Sequence, residues 1–233
     1  LEAKGVTVIH DISEIEESEK GTIVIRSHGV GEKIYQTLEN AGYHIVTSDL
    51  KQDRYGIWRM DFFDMEMKIK KNDIRAVVFC SPHNPTGRVW EREEREQFMD
   101  MAQRLNVAVI SDEIWSDLTL RGYKHIPLQS VSEDARNRTI ALYAPSKTFN
   151  LAGLVGSYHI VYNKMLRERL EKESSLSHYD EMNVLSMHVL TGAYTAEGRQ
   201  WLCELREVIA TGKGQKRAKA IKRLKVVDAF LKS

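Results

Sequence analysis

Three short apolar runs, each ending abruptly in polar residues, set the strongest limit on the fold. They are A-V-V-F-C at residues 76–80, running into S-P-H-N-P-T-G; V-A-V-I at 107–110, running into S-D-E; and T-I-A-L-Y at 139–143, running into A-P-S-K. Continuous apolar runs of this length between turn formers suit strands buried on both faces, as in a parallel sheet covered by helices. Ligands in such open α/β sheets bind beyond the carboxyl ends of the strands. Residues 81–87, 111–113 and 144–150 are therefore predicted to meet at one crevice.

The polar groups at those three ends have complementary chemistry. Lys147 follows a buried run and is flanked by Ser146, Thr148 and Asn150. Partial desolvation disfavours an ammonium, and the neutral amine that results is a nucleophile able to form a Schiff base with an aldehyde. A solvated loop lysine is the plain alternative. Asn84 offers an amide to the phenolate oxygen of a pyridine aldehyde cofactor, and Asp112 a carboxylate that keeps a pyridine nitrogen protonated.

From about residue 50 to about residue 206 the chain resembles the fold-type I pyridoxal-phosphate enzymes, in particular the MalY/PatB-type cystathionine β-lyases of the aminotransferase class I/II superfamily. The resemblance rests on S-P-H-N-P-T-G-R-V-W (81–90), S-D-E-I-W-S-D-L (111–118) and A-P-S-K-T-F-N-L-A-G-L (144–154), in that order. It implies pyridoxal 5′-phosphate as cofactor, with Lys147 as Schiff-base lysine and catalytic acid/base, Asp112 on the pyridine nitrogen and Asn84 on the phenolate oxygen. Trp115 falls where many relatives place a tyrosine or histidine on that same oxygen; its indole donates but cannot accept. The implied activity is a carbon–sulfur β-lyase acting on a thioether amino acid such as cystathionine, with an aminotransferase as the alternative and a homodimer as the assembly. Relatives also use a phosphate cup and a carboxylate-binding arginine that have no counterpart in this slice. The chain is thus expected to be incomplete or inactive as it stands.

The flanks read differently. Residues 1–49 form a small α/β segment, with I-V-I-R-S-H-G-V (23–30) similar to the hydroxymethylbutenyl diphosphate reductases, which implies a diphosphate-binding role for His28. That family's iron–sulfur cluster needs cysteine ligands, and none lies in residues 1–50, so reductase activity is not expected. Residues 207–233 form a basic helical tail that resembles a piece of the bacterial RNA polymerase β′ subunit through I-K-R-L-K-V-V-D-A-F (221–230). Three resemblances in one chain suggest a mosaic, and a non-catalytic chain is the rival to the enzyme reading. The 34 Lys/Arg and 33 Asp/Glu nearly cancel, yet residues 210–233 carry eight basic groups against Asp228 alone. Nucleic-acid contact is therefore expected only through the tail, as salt-sensitive phosphate binding.

Cys80 and Cys203 are the only cysteines, neither belongs to a C-x-x-C pair, and both are expected to be buried or partly buried. With no signal peptide and no apolar run long enough for a membrane span, the expectation is a cytoplasmic protein without a metal site. The predicted fold class is α/β, a mostly parallel sheet with flanking helices forming a partial fold-type I large domain over residues 50–206. Further strands are predicted at 58–62 and 157–162, the latter antiparallel. Helices are predicted from Asp64 to Lys71, with Asp64 as cap, and over 90–104, 163–174, 181–190 and 196–209. The Glu/Arg run of the helix over 90–104 reads as a solvated face opposite Phe98, Met101, Ala102 and Leu105, and residues 118–131 as a packed, irregular loop.

Overall fold

A computed structural model describes residues 46–154, 156–177 and 181–211. The chain divides into two compact units, Leu1–Asp49 and Leu50–Ser233, and the architecture below is that of the second. The expected N-terminal α/β segment with His28, the histidine at 178 and the basic tail beyond 211 lie outside the described residues.

The second unit opens with a short antiparallel hairpin, β1 (Lys51–Gln52) and β2 (Trp58–Arg59). Helix α1 (Phe62–Lys71) follows, and its N-cap is Asp61, whose side chain accepts from the Asp64 amide at 3.1 Å. The predicted cap at Asp64 is therefore three residues too late; Asp64 lies in the first turn and pairs with Lys68. The strand expected over 58–62 shrinks to two residues because Asp61 starts the helix.

The main sheet has the order β3 (Ala76–Cys80), β4 (Ala108–Asp112), β5 (Thr139–Tyr143), β6 (Tyr158–Val161). The first three strands are parallel and β6 is antiparallel to β5, as expected. Between β3 and β4 the chain crosses over through α2 (Arg92–Arg104). Between β4 and β5 it passes through two 3₁₀ turns, Ser116–Leu118 and Leu128–Ser130, and the short helix α3 (Glu133–Arg138), capped by Ser132 accepting from the Ala135 amide. A single helical turn, α4 (Pro145–Thr148), follows β5, and α5 (Lys164–Ser177), α6 (Val184–Ala193) and α7 (Ala196–Thr211) complete the described chain.

Two apolar clusters hold these elements. In the larger, Phe79 and Val109 of the sheet pack with Ile69 of α1, Phe98, Met99, Met101 and Ala102 of α2, and Leu128 and Ala135. The smaller joins Phe149 and Leu151, just after α4, to Val189, Ala193 and Trp201 of α6 and α7. The predicted solvated face of α2 is only partly so, because Arg95 is fully buried within it. Its guanidinium donates to the Trp90 carbonyl at 3.0 Å and to the Ser81 hydroxyl at 2.9 Å, which draws a charged residue onto the apolar face. Cys80 is partly buried as expected, whereas Cys203 is exposed on α7. Leu185 and Met187 of α6 are also exposed.

The α6–α7 junction leaves no room for a side chain at Gly198. A Cβ on Gly198 would lie 1.8 Å from the Ala193 carbonyl oxygen. Gly198→Ala must force the two helices apart, and the unfolding free energy measured by urea titration is expected to fall by about 1–3 kcal/mol, the usual cost of overpacking.

Candidate active site

The parallel ladder sets the site. Cys80 of β3 pairs with Asp112 of β4, and Asp112 with Leu142 of β5, so the three carboxyl ends are level. The segments that carry Asn84, Asp112 with Trp115, and Lys147 all leave the sheet from this edge.

Asp112 is half-buried, and one carboxylate oxygen accepts from the Ile114 amide at 3.1 Å. Beside it, the Cys80 thiol is pushed up by burial, with the Asp112 charge adding to the shift and the Asn84 backbone N–H opposing it. Cys80 is thus the point where the β3 loop and Asp112 come together. The Asn84 side chain is exposed in that loop, which turns back at Gly87, where φ is +70° and the amide donates to the His83 carbonyl at 2.7 Å. A side chain at that φ would be strained, so the glycine is what allows the reversal. The loop base is fixed by the Trp90 indole, which donates to the Cys80 carbonyl at 2.8 Å.

Lys147 lies in α4, between residues that are themselves anchored. Ala144, Pro145 and Thr148 are buried, Phe149 and Leu151 belong to the smaller cluster, and the Thr148 hydroxyl donates to Asp117 at 3.4 Å. Lys147 itself is half-buried, with its Nζ 6.0 Å from the centroid of the Trp115 ring. That places an indole face, rather than a phenol or imidazole, beside the amine, at the outer limit of a cation–π contact. Of the four residues singled out in the sequence, Trp115 and Lys147 are brought into contact, Asp112 stands three residues before Trp115, and Asn84 stays at the exposed rim.

A second layer was not assigned a role from sequence. Glu113 is fully buried, and its carboxylate accepts four hydrogen bonds: from Ser111 at 2.9 Å and the Leu128 amide at 3.1 Å on Oε1, and from Tyr143 at 2.8 Å and His125 at 2.5 Å on Oε2. Burial alone would raise this carboxyl, but the His125, Tyr143 and Leu128 donors outweigh it and hold it below its ordinary value. The Tyr143 phenol moves the other way, raised by burial and by the adjoining Glu113 charge. Tyr143 also stacks on Tyr158 with ring centroids 5.3 Å apart. His125, in the stretch predicted to be a packed loop, is indeed packed, against Glu113. The signal available in the sequence was the acidic residue directly after Asp112 at the end of an apolar run, a place where a carboxylate must find buried donors.

The site can be compared with known proteins on this basis. Residues 32–212 match the family described as Aminotransferase class I and II. The chain belongs to that family. The match is longer at both ends than the 50–206 slice expected from sequence. Among curated proteins, it is 34% identical to cystathionine beta-lyase PatB of Bacillus subtilis over 81% of this chain and 48% of that protein. It is 32% identical to protein MalY of Escherichia coli, over 87% of this chain and 51% of that one. Among solved structures, cystalysin from Treponema denticola, which contains pyridoxal 5′-phosphate, superposes with a TM-score of 0.68 at 33% identity, over 77% of this chain and 45% of that one. The MalY/PatB resemblance and the α/β class read from sequence are both borne out. The chain spans about half the length of the curated relatives it matches. Among the described residues there is no cluster of His, Cys, Asp and Glu suited to a metal, and no helix is long and apolar enough to cross a membrane.

The Glu113 carboxyl gives the site a defined acid sensitivity. Because its pKa in the folded chain is depressed, its contribution to stability is complete above the ordinary value of 4.5 and is lost as pH falls through the lower folded value. The unfolding free energy is therefore expected to fall with pH below 4.5, and Glu113→Gln to remove about one proton's worth of that slope in urea titrations run across the acid range.

Proposed function

We propose that this chain carries the cofactor-holding face of a pyridoxal-phosphate-dependent carbon–sulfur β-lyase acting on thioether amino acids such as cystathionine. The observation that carries this reading is the level alignment of Cys80, Asp112 and Leu142, which puts a carboxylate and, one turn beyond β5, a lysine at the same sheet edge. The donor set fits the group: an anionic carboxylate for a pyridinium N–H, an amine for an aldehyde, and the Asn84 amide for a phenolate oxygen. The PatB and cystalysin similarities support the same choice.

When bound, pyridoxal phosphate supplies an electron sink conjugated to the substrate Cα. The chain's own residues do the rest. Asp112, its carboxylate fixed by the Ile114 amide, would hold the ring nitrogen in its protonated form through a charge-assisted hydrogen bond. Lys147 Nζ would hold the aldehyde of the cofactor and would serve as base for the substrate Cα proton and as acid for the departing sulfur. The Trp115 ring covers the amine on one side and limits water there. Asn84, exposed in the loop after β3, would offer its amide to the phenolate oxygen. The division into segments 1–49, 50–206 and 207–233, a homodimeric assembly and a cytoplasmic location belong to the same reading.

Two measurements test it. Titrating the full chain with pyridoxal phosphate is expected to produce a saturable visible band that Lys147→Ala abolishes, and Asp112→Ala is expected to weaken binding about tenfold or more, the worth of one charge-assisted hydrogen bond. With cystathionine, the loaded chain is expected to release a thiol and a 2-oxo acid in equal amounts. Amine transfer to a 2-oxo acid without thiol release would instead favour the aminotransferase reading, and absence of the band in the wild-type chain would leave only the non-catalytic one.

A further inference from the structure

We infer that Glu113 is a positioning residue, which fixes Asp112 and Lys147 relative to each other by clamping the ends of β4 and β5 from beneath. The inference rests on the reading of Asp112 and Lys147 as the cofactor-contacting pair, and it assigns to a third residue the job of setting their spacing.

Side chains alternate along a strand, so Ser111 near the end of β4 and Glu113 just beyond it share one face, both fully buried, while Asp112 points to the other. Ser111 is fully buried and donates to Glu113 Oε1, so the residues on both sides of Asp112 are tied to each other across it. The Glu113 amide donates to the Leu142 carbonyl at 3.0 Å, and Oε2 accepts from Tyr143 at 2.8 Å. The carboxylate is thereby fastened to the last residue of β5, four positions before Lys147. Oε1 also takes the Leu128 amide and Oε2 takes His125, which pins the return of the long β4–β5 connection to the same point. One side chain therefore joins the strand that carries the carboxylate, the strand that leads to the lysine, and the loop between them.

An apolar residue at 113 would avoid the cost of burying a charge, and buried ionic groups are weak devices for stability alone. A carboxylate with four donors in fixed directions instead defines distances. Arg95 completes the arrangement: it is fully buried, its charge is felt at Glu113, and it holds Ser81 just past the end of β3, so the strand that leads to Asn84 is tied down by a second buried ion at the same edge.

Hydrogen exchange followed by mass spectrometry on the full chain, without cofactor, tests the clamp. Glu113→Gln keeps the volume but replaces one oxygen by an NH₂ group that cannot accept from Tyr143 or His125. Exchange of residues 112–116 and 143–149 is expected to rise about tenfold, while residues 98–105 at the end of α2 stay as in the wild-type chain. Unchanged exchange in the first two segments overturns the inference, and so does an equal rise in all three, since that is the pattern of a purely stabilising residue. Should Glu113→Gln fail to fold, Tyr143→Phe removes only the β5 arm and is expected to speed exchange in 143–149 alone; no change there also overturns it. In chain loaded with pyridoxal phosphate, Glu113→Gln is expected to shift the pH midpoint of the visible band. A wild-type chain that takes up no cofactor would defeat the proposed function and leave the exchange result standing, whereas uptake with unaltered exchange would defeat the positioning role alone.

Discussion

The hydrogen-bonded register of β3, β4 and β5 is the constraint on which everything else rests. Parallel strands cannot slip by one residue without turning every side chain to the opposite face, and here the buried face is occupied by Val109 and Ser111 on β4 and by Thr139 and Ala141 on β5. Burial therefore locks the ladder that sets Cys80, Asp112 and Leu142 level. The chemistry at the edge is a consequence of the packing in the middle.

The same edge is where the chain accepts its costliest burials. Arg95 and Glu113 are both fully buried and of opposite charge, and Arg95 Nη1 and His125 Nδ1 lack hydrogen-bond partners among the described residues. Desolvation draws the Arg95 guanidinium down to about 10. Such groups are retained where direction matters more than transfer free energy, and both lie directly beneath strand ends that carry candidate site residues. The apolar clusters do the complementary work. The larger one fixes the crossover helix α2 against β3 and β4, and the smaller one anchors the segment just beyond Lys147 through Phe149 and Leu151.

Much of this was legible in the sequence because it depends on local pattern. The runs A-V-V-F-C and T-I-A-L-Y became β3 and β5 with their predicted bounds, and the run expected at 107–110 became β4, which starts one residue later and ends two residues later, at Asp112. The reversed β6 and the helices after it followed the predicted order. The errors have a common origin in partners that are distant along the chain. Arg95 sits in a run of Glu and Arg that looks solvated, and only the Ser81 hydroxyl and Trp90 carbonyl, reached by folding, make its burial tolerable. Glu113 could be seen as the residue after Asp112, but its four donors come from positions 111, 125, 128 and 143. Trp115 could be seen three residues after Asp112, while the nearness of its ring to Lys147 emerges only when β4 and β5 lie side by side.

The most direct measurement is borohydride reduction of the full chain after incubation with pyridoxal phosphate, followed by peptide mapping of the reduced adduct. Stoichiometric pyridoxyl label on Lys147 alone is the expected result, because that amine is the one held half-buried at the edge that carries Asp112. Label scattered over surface lysines, with Lys147 no more reactive than the rest, would contradict the assembly of the three strand ends into one site.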